Sequence, residues 1–270
     1  MSPATYLDDI VAAHRARRAN DPADLGERLA RAEASPPPRG FRAALGAASA
    51  RGTLALIAEV KRRSPSKGAL DAELDPAGLA QEYAAGGASA LSVLTDEEYF
   101  GARPDDLALA RAACPLPVLR KDFTVSELDV CEARCMGADA VLLIVAALDD
   151  DELARFAALA ERLALDALVE VHDENELARA LAVGATLVGV NQRDLTTFEV
   201  DPGRAERVGA AIPPGVVAVA ESGIRGGEDA ARLAAAGFDA ILVGETLVTA
   251  PARAAALHAL VGHRVTRRGG

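Results

Sequence analysis

The chain has 270 residues, which exceeds an ordinary domain but is close to the roughly 250 residues of one α/β barrel. Half of the residues are hydrophobic, so a large core can form and general disorder is excluded. The net charge of −11 argues against a protein that binds nucleic acid. Of the 29 basic residues only Lys61, Lys67 and Lys121 are lysines, and the others are arginines.

Cysteine usage and hydropathy bear on the expected location. Cys131 and Cys135 lie four residues apart without a CxxC pair, so we interpret them as small apolar residues on one helix face. No basic segment followed by an apolar run opens the chain, and the longest apolar stretches, about ten residues, are half of a membrane span. We therefore expect no membrane association and a cytoplasmic location.

The first part of the chain is predicted to be helical. Residues 5–18 have the periodicity of a helix with one apolar face. Asp21 followed by Pro22 predicts the start of a second helix, because Asp caps helices and Pro fits their first turn. The prolines at 36–38 predict its end. We therefore place a helical extension, not a separate domain, at residues 1–50.

From residue 54 onward, eight short apolar runs alternate with Ala-, Arg-, Glu- and Leu-rich stretches of helical spacing. The runs cover residues 54–60, 89–94, 117–121, 138–145, 167–171, 187–191, 216–221 and 240–244. Near-continuous apolar strands separated by helices indicate a parallel sheet that is buried on both faces.

An internal repeat indicates how this sheet closes. Gly87, Gly137, Gly184 and Gly237 each join a helix end to a strand start, at spacings of 50, 47 and 53 residues. Such a spacing corresponds to two βα units and favours a barrel over a doubly wound sheet. We predict an α/β fold, a (β/α)8 TIM barrel over residues 54–262, in a chain that forms a single domain over residues 1–270.

Most of the predicted strands end in polar residues. In (β/α)8 barrels the active site is built at the carboxyl ends of the strands. Six of the eight runs carry polar residues there: Glu59 and Lys61, Lys121, Glu170, Asn191, Glu221 and Glu245. One such residue alone is most simply a solvated edge or a salt bridge, but six strands together favour an active site.

Two of the three lysines lie at these strand ends. Arginine stays protonated at any working pH, whereas a partly buried lysine can change its pKa and exchange a proton. The presence of Lys61 and Lys121 at strand ends in a chain that otherwise uses arginine therefore indicates proton transfer.

The last two strands predict a phosphate site. Ser222-Gly223 and Gly244-Glu245 place backbone N–H groups beside helix starts, after the two strands that bind phosphate in many barrels. Two ordinary tight turns are the alternative, but the coincidence of both positions favours phosphate.

The histidines and cysteines do not form a recognisable metal motif. The sequence contains no HExxH, no Cys/His cluster and no carboxylate triplet with metal-ligand spacing, so we expect no metal and no cofactor. His172 follows the fifth strand and could shuttle protons, but a loop histidine beside a helix cap is the preferred interpretation.

Taken in order, the strand ends resemble the indole-3-glycerol-phosphate synthase family of tryptophan biosynthesis. The matching stretches are IAEVKRRSPSKG, SVLTDEEYFG, LRKDF, GADAVLLIV, LVEVHDENEL, GVNQRDL, AESGI and ILVGE, which together cover about residues 54–246. The resemblance implies a carboxy-lyase acting on a phosphorylated small molecule, 1-(2-carboxyphenylamino)-1-deoxyribulose 5-phosphate. Such an enzyme would close the indole ring with loss of CO2 and water by general acid/base catalysis.

The resemblance also implies catalytic roles by position. Lys121 resembles the general acid at the carbonyl, and Glu170 resembles the acid/base of the dehydration step. Glu59 and Lys61 look like the pair that positions the substrate and takes part in proton transfer.

Further positions resemble the family's binding residues. Asn191 and Glu221 would hydrogen-bond and tune the catalytic groups, while Lys61 and Arg193 would lie near the anthranilate carboxylate. The remaining positions are Ser222, Gly223, Gly244 and the Glu245 N–H at the phosphate, Phe100, Phe123 and Leu195 around the ring, and Ser64 as a further substrate contact.

Two positions depart from the family pattern. Residues 101–104 read Gly-Ala-Arg-Pro where a Gly-Gly-Ser type turn is common, so this loop is stiffer or Arg103 reaches a partner. Glu245 stands where some members carry Ser, and because its carboxylate would repel a phosphate we expect it to point away.

Two other hypotheses are open from the sequence. A Schiff-base barrel aldolase would use Lys121 as a nucleophile, and borohydride trapping would reveal the adduct. A non-catalytic phosphate-binding barrel or interaction protein would leave the strand-end charges without a role. The sequence predicts neither the oligomeric state nor an association with other enzymes of the pathway.

Overall fold

The computed structural model describes residues 5–65, 67–194 and 198–268. Eight parallel strands form a closed barrel in which each strand pairs with its sequence neighbours and the last pairs with the first. They are β1 (Ala55–Val60), β2 (Ala90–Leu94), β3 (Val118–Lys121), β4 (Ala140–Ile144), β5 (Asp166–Val171), β6 (Leu187–Asn191), β7 (Val217–Glu221) and β8 (Ala240–Val243). The predicted (β/α)8 barrel is confirmed.

Helices precede the barrel and alternate with its strands. They are α1 (Tyr6–Ala19), α2 (Leu25–Glu33), α3 (Phe41–Ala50), α4 (Pro76–Ala85), α5 (Glu97–Phe100), α6 (Asp106–Ala113), α7 (Glu127–Cys135), α8 (Asp150–Arg162), α9 (Glu174–Ala182), α10 (Pro202–Gly209), α11 (Gly227–Ala235), α12 (Glu245–Val248) and α13 (Arg253–Leu260). A short hairpin, Arg63–Ser64 with Gly68–Ala69, follows β1. None of the helices in the described residues has the length and apolar character to cross a membrane.

The alternation of side chains along β1 shows how the barrel aims its polar residues. Leu56 and Ala58 pack outward in the core between strands and helices, whereas Ala55 and Ile57 pack in a second core inside the barrel. Because side chains alternate along a strand, Glu59 follows on the inward face at the carboxyl end.

The start of the second helix differs from the prediction. Helix α2 begins at Leu25, and its cap is Asp24, whose carboxylate accepts the Glu27 N–H. Asp21 instead accepts the Ala23 N–H in a turn before the helix. The predicted start was therefore a few residues early, because the Asp21 side chain bonds locally rather than to a helix terminus.

The extension contains a third helix that the sequence did not reveal. Helix α3 follows Gly40, which has a left-handed φ of 77° and makes no side-chain cap. Phe41, Leu45 and Ala48 of α3 are buried in the inner core. The helix therefore closes the amino-terminal end of the barrel. The single-domain boundaries, with residues 1–50 as an extension, stay a prediction.

At the amino-terminal end of the barrel, aspartates that lie two residues after repeat glycines form hydrogen bonds with neighbouring segments. Asp139 accepts the backbone N–H groups of Val118 and Arg39, each at 2.7 Å. Asp239 likewise accepts the Ala218 N–H at 2.9 Å. In these two repeats the aspartate therefore links a strand start to a neighbouring strand, and Asp139 also links it to the extension.

Candidate active site

A cavity of about 420 Å³ opens at the carboxyl ends of the strands. It brings together the predicted site residues Glu59, Lys61, Ser64, Phe100, Lys121, Phe123, Glu170, Asn191, Arg193, Glu221, Ser222, Gly223, Gly244 and Glu245. The remaining predicted residue, Leu195, lies outside the described residues. Side chains from six strands and the loops after them therefore converge on one volume.

A buried lysine lies between two carboxylates at the centre of this cavity. Lys121 Nζ donates to Glu170 Oε2 at 2.9 Å and to Glu221 Oε2 at 3.0 Å. Both carboxylates are only 2% exposed. Burial alone would lower the pKa of Lys121, but the charges of Glu170, Glu221 and Glu59 outweigh it and raise that pKa. The lysine is therefore held as an ammonium ion.

The two carboxylates have opposite pKa shifts. Burial acts to raise the pKa of Glu170, but Lys121, His172 and the Asn191 hydrogen bond outweigh it, so this pKa is lowered. Burial also raises the pKa of Glu221, and here repulsion from Glu170 adds to it, so the attraction of Lys121 does not compensate. Neighbouring carboxyl groups with pKa values driven apart are the arrangement that separates a proton acceptor from a proton donor.

A second ion pair lies at the end of β1. Lys61 Nζ donates to Glu59 Oε1 at 2.5 Å, and Ser92 Oγ lies 3.4 Å from the other carboxylate oxygen of Glu59. Gly244 of the loop after β8 leaves room for this pair, because a Cβ there would overlap Glu59 and crowd the Lys61 ammonium. The glycine of the predicted phosphate loop therefore also makes space for the ion pair.

Asn191 connects the central group to an arginine. Its Nδ2 donates to Glu170 Oε1 at 3.0 Å, and its Oδ1 accepts the Arg193 backbone N–H at the same distance. The Arg193 guanidinium donates to the Phe198 carbonyl at 2.9 Å and lines the cavity. Asn191 is therefore a buried, fully oriented amide.

The loop after β7, which is predicted to bind the phosphate, has an unusual backbone conformation. Ser222 and Gly223 both have left-handed φ values, 65° and 71°. A Cβ at position 223 would overlap Val200, so the glycine permits a close approach of two chain segments. The Glu245 carboxylate is drawn toward Lys67, whose Nζ lies 3.7 Å away, while its backbone begins α12.

Aromatic and aliphatic side chains form the rest of the wall. The Phe100 and Phe123 rings, predicted to enclose an aromatic ring, have centroids 6.3 Å apart. Tyr6, Leu7 and Ile10 of α1 also line the cavity. The sequence indicated that α1 has an apolar face but not that this face covers the site.

One cluster in the described part of the chain has the geometry of metal ligands. It consists of His14, Asp96 and Asp122. Arg17 lies 2.7 Å from His14 Nδ1, however, and Arg120 lies 2.8 Å from Asp122 Oδ2. Because guanidinium groups contact His14 and Asp122, and His14 Nε2 pairs with Asp96 at 2.8 Å, we interpret the cluster as an ion-pair network that joins α1 to the barrel.

The loop after α5 contains residues 101–104, where the sequence departs from the family pattern. Gly101 ends α5 with a φ of 66°. Arg103 does reach a partner, since its guanidinium donates to the Ala72 carbonyl at 3.3 Å. Its backbone N–H also donates to Asp106 at 3.0 Å, which fixes the loop against α6.

Fold and site together define a class of protein, a (β/α)8-barrel enzyme with a buried lysine–carboxylate centre. The family model described as Indole-3-glycerol phosphate synthase matches residues 7–260. The chain belongs to the indole-3-glycerol phosphate synthase family, and so it is a carboxy-lyase of tryptophan biosynthesis that acts on a phosphorylated small molecule. This membership sets aside the aldolase and the non-catalytic barrel.

Relatives of this family resemble the chain over most of its length. Indole-3-glycerol phosphate synthase 2 of Streptomyces coelicolor is 52% identical over 231 residues, which cover 86% of this chain and 88% of the relative. The Mycolicibacterium smegmatis indole-3-glycerol phosphate synthase is 50% identical over 251 residues, covering 92% and 91%.

Solved structures of lower identity show the fold alone. Thiamine phosphate pyrophosphorylase from Pyrococcus furiosus superposes with a TM-score of 0.57 at 19% identity, covering 77% of this chain and 93% of that one. A 3-hexulose-6-phosphate synthase gives a TM-score of 0.58 at 18% identity, covering 77% and 98%.

Proposed function

We propose that this chain closes the indole ring of 1-(2-carboxyphenylamino)-1-deoxyribulose 5-phosphate, using Lys121 as general acid and Glu170 as the acid/base of dehydration. The observation that supports these roles is the buried Lys121 ammonium, which bridges carboxylates of opposite pKa shift. Proton transfer of this kind needs a donor and an acceptor of different pKa in one pocket.

The first half of the reaction uses the lysine. The aromatic carbon that bears the carboxylate attacks the ribulose carbonyl, and the Lys121 ammonium transfers a proton to the carbonyl oxygen. The carbon–carboxylate bond then breaks, CO2 leaves, and its electron pair restores the aromatic ring. Glu221 keeps the lysine in place through its 3.0 Å contact, and solvent returns the lost proton afterwards.

The second half uses Glu170, which is ionised at rest. It takes one proton from the carbon next to the new hydroxyl-bearing carbon and delivers one to the departing hydroxyl. One water leaves, a double bond completes the indole, and the carboxylate is regenerated. Asn191, at 3.0 Å, orients the carboxylate during both transfers.

Charge complementarity supports the proposed placement of the substrate. Lys61 and Arg193 line the cavity and would receive the anthranilate carboxylate, with Glu59 holding the lysine. Ser64 would add a polar contact. The ring would lie between Phe100 and Phe123.

The phosphate would occupy the other end of the cavity. Ser222 and Gly223 would bind it through backbone N–H groups in the left-handed turn, together with Gly244 and the N–H of Glu245. The Lys67–Glu245 contact draws the Glu245 carboxylate toward a cation. The predicted cytoplasmic location is consistent with this small-molecule chemistry and stays a prediction.

Replacing the lysine tests the proposal. Lys121→Ala is expected to lower kcat by about 10²-fold or more, the size of a lost general acid. Turnover is followed by the fluorescence of the indole product. Lys121→Arg is the matched control, because it keeps the positive charge but cannot release a proton at working pH, and it should be nearly as inactive. Near-normal turnover of either variant, or a borohydride-trapped adduct on Lys121, would contradict the mechanism.

A further inference from the structure

His172 lies beside the central carboxylates, is mostly but not fully buried, and has no part in the proposed reaction. It follows the last residue of β5, and its side chain is 12% exposed. Its Nδ1 lies 3.0 Å from Glu176 Oε2, and the same oxygen accepts the His172 backbone N–H at 2.7 Å. The expected position beside a helix cap is therefore confirmed, and α9 fixes one side of the ring.

The other side of the ring faces Glu170. His172 Nε2 lies 3.6 Å from Glu170 Oε1 and finds no hydrogen-bond partner among the described residues. Buried polar atoms without a partner are rare and call for an explanation. Residues 170 and 172 are two apart at the end of a strand, so their side chains share a face. The unpartnered nitrogen is therefore directed at a site carboxylate.

Charged groups around His172 come from three elements. Burial would lower the pKa of His172, but the Glu176 hydrogen bond and the charge of Glu170 raise it, while Arg204 of α10 opposes them weakly. The effect is mutual, since His172 follows Lys121 among the charges that lower the pKa of Glu170. The surroundings therefore favour an imidazolium that faces an ionised carboxylate.

We propose that His172 is a positioning residue for Glu170: its imidazolium, held by Glu176, keeps the Glu170 carboxylate ionised and oriented to accept the substrate proton. The inference rests on the proposed role of Glu170. Because Asn191 and His172 share Oε1 while Lys121 binds Oε2, each carboxylate oxygen has a cationic or donor neighbour. His172 itself acts through Glu170 and exchanges no proton with the substrate.

The coupling is measured first without any turnover. The imidazole of His172 is titrated by NMR in the full chain, in Glu170→Gln and in Glu174→Gln. Glu174→Gln is the matched control, because it removes the same charge from an exposed position at the start of α9. We expect the pKa of His172 to fall by about one unit in Glu170→Gln and to stay unchanged in the control. Equal pKa values in Glu170→Gln and the unaltered chain would overturn the proposal.

The effect on catalysis is measured with His172→Gln, which can still hydrogen-bond Glu176 but carries no charge. The acid limb of the kcat profile should move to higher pH by about one unit, with KM changed by less than about twofold. If His172 had only a packing role, its replacement would lower kcat at every pH and leave the acid limb of the profile unchanged. That result would count against the positioning role. If Glu170→Gln keeps full turnover while the NMR shift is seen, the role of Glu170 fails and the charge coupling stands.

Discussion

Gly189 of β6 sets the position of a site carboxylate although it has no side chain. A Cβ at this position would overlap Glu221 Oε1 and would also crowd Leu168. Glu221 is almost fully buried, and a Cβ at position 189 would force its carboxylate away from its present position. The absence of a side chain at position 189 therefore allows Glu221 to reach Lys121.

Gly189→Ala is expected to displace Glu221 from the lysine. The kcat should fall by about tenfold or more, because misplacing a supporting group by an ångström is costly. Activity and the melting temperature are measured together. Gly46→Ala is the matched control, since a Cβ at that helical position meets nothing within 4 Å and alanine favours helix, so its Tm should be unchanged or higher. Full activity in Gly189→Ala would show that Glu221 does not support Lys121.

Residues whose placement is set by local geometry could be predicted from the sequence. Glu59 and Lys121 end apolar strands, and alternation along a strand is enough to aim them at the barrel mouth. Gly189 gave no such signal, because its importance depends on the rotamer of Glu221 on the neighbouring strand. The sequence predicts a loop histidine beside a helix cap at position 172, but the direction of its second nitrogen follows from the ring orientation, which a sequence does not contain.

Helix α1 is joined to the active site through a buried histidine. His14 Nε2 lies 2.8 Å from Asp96 Oδ2, and both side chains are at most 3% exposed. The other oxygen of Asp96 caps α5 by accepting the backbone N–H groups of Tyr99 and Phe100. The extension therefore supports the short helix that carries one of the aromatic walls.

His14→Leu is expected to loosen α5 and the wall it carries. It removes the partner of a buried carboxylate, so the melting temperature should fall, and KM should rise by about threefold or more while kcat changes less. His258→Leu is the matched control, because His258 is exposed on α13 and is not among the residues that line the cavity. An unchanged KM in His14→Leu would mean that α1 stabilises the fold without shaping the cavity.

Helix packing limits what periodicity can predict. The spacing of apolar residues showed that α1 has a buried face, but periodicity does not identify the surface that the face covers. Helix α3 was not predicted because it begins after Gly40, so the sequence has no capping side chain to mark its start. Both helices are positioned by contacts with strands that lie far along the chain.

At the scale of the whole molecule, the extension contributes side chains to both ends of the barrel. Helix α3 fills the amino-terminal end with Phe41 and Leu45, and α1 covers the carboxyl-terminal end with Tyr6 and Ile10. The central carboxylates are almost fully buried, and Lys121 is largely buried between them. Burial strengthens the attraction of the lysine for both carboxylates, and it also makes two neighbouring negative charges costly.

The cost of burying an ionised Glu221 carboxylate should lower the stability of the protein at high pH. The pKa of Glu221 is raised from its ordinary value of 4.5, mainly by burial. Stability linked to this group is therefore complete below that value and is lost as pH rises through the raised pKa, because the unfolded chain releases its proton first. A neutral side chain at position 221 would remove this loss of stability at high pH.

Glu221→Gln is therefore expected to raise the melting temperature by about 2 °C or more, with the gain absent near pH 4.5 and growing as pH increases. Activity should fall at the same time, because the amide cannot tune Lys121 as a carboxylate does. Calorimetry from pH 5 to about pH 9 measures the difference. Glu174→Gln provides the control for loss of one negative charge at an exposed position. A lower melting temperature of Glu221→Gln at every pH would show that the attraction between Lys121 and Glu221 exceeds the cost of burying that carboxylate.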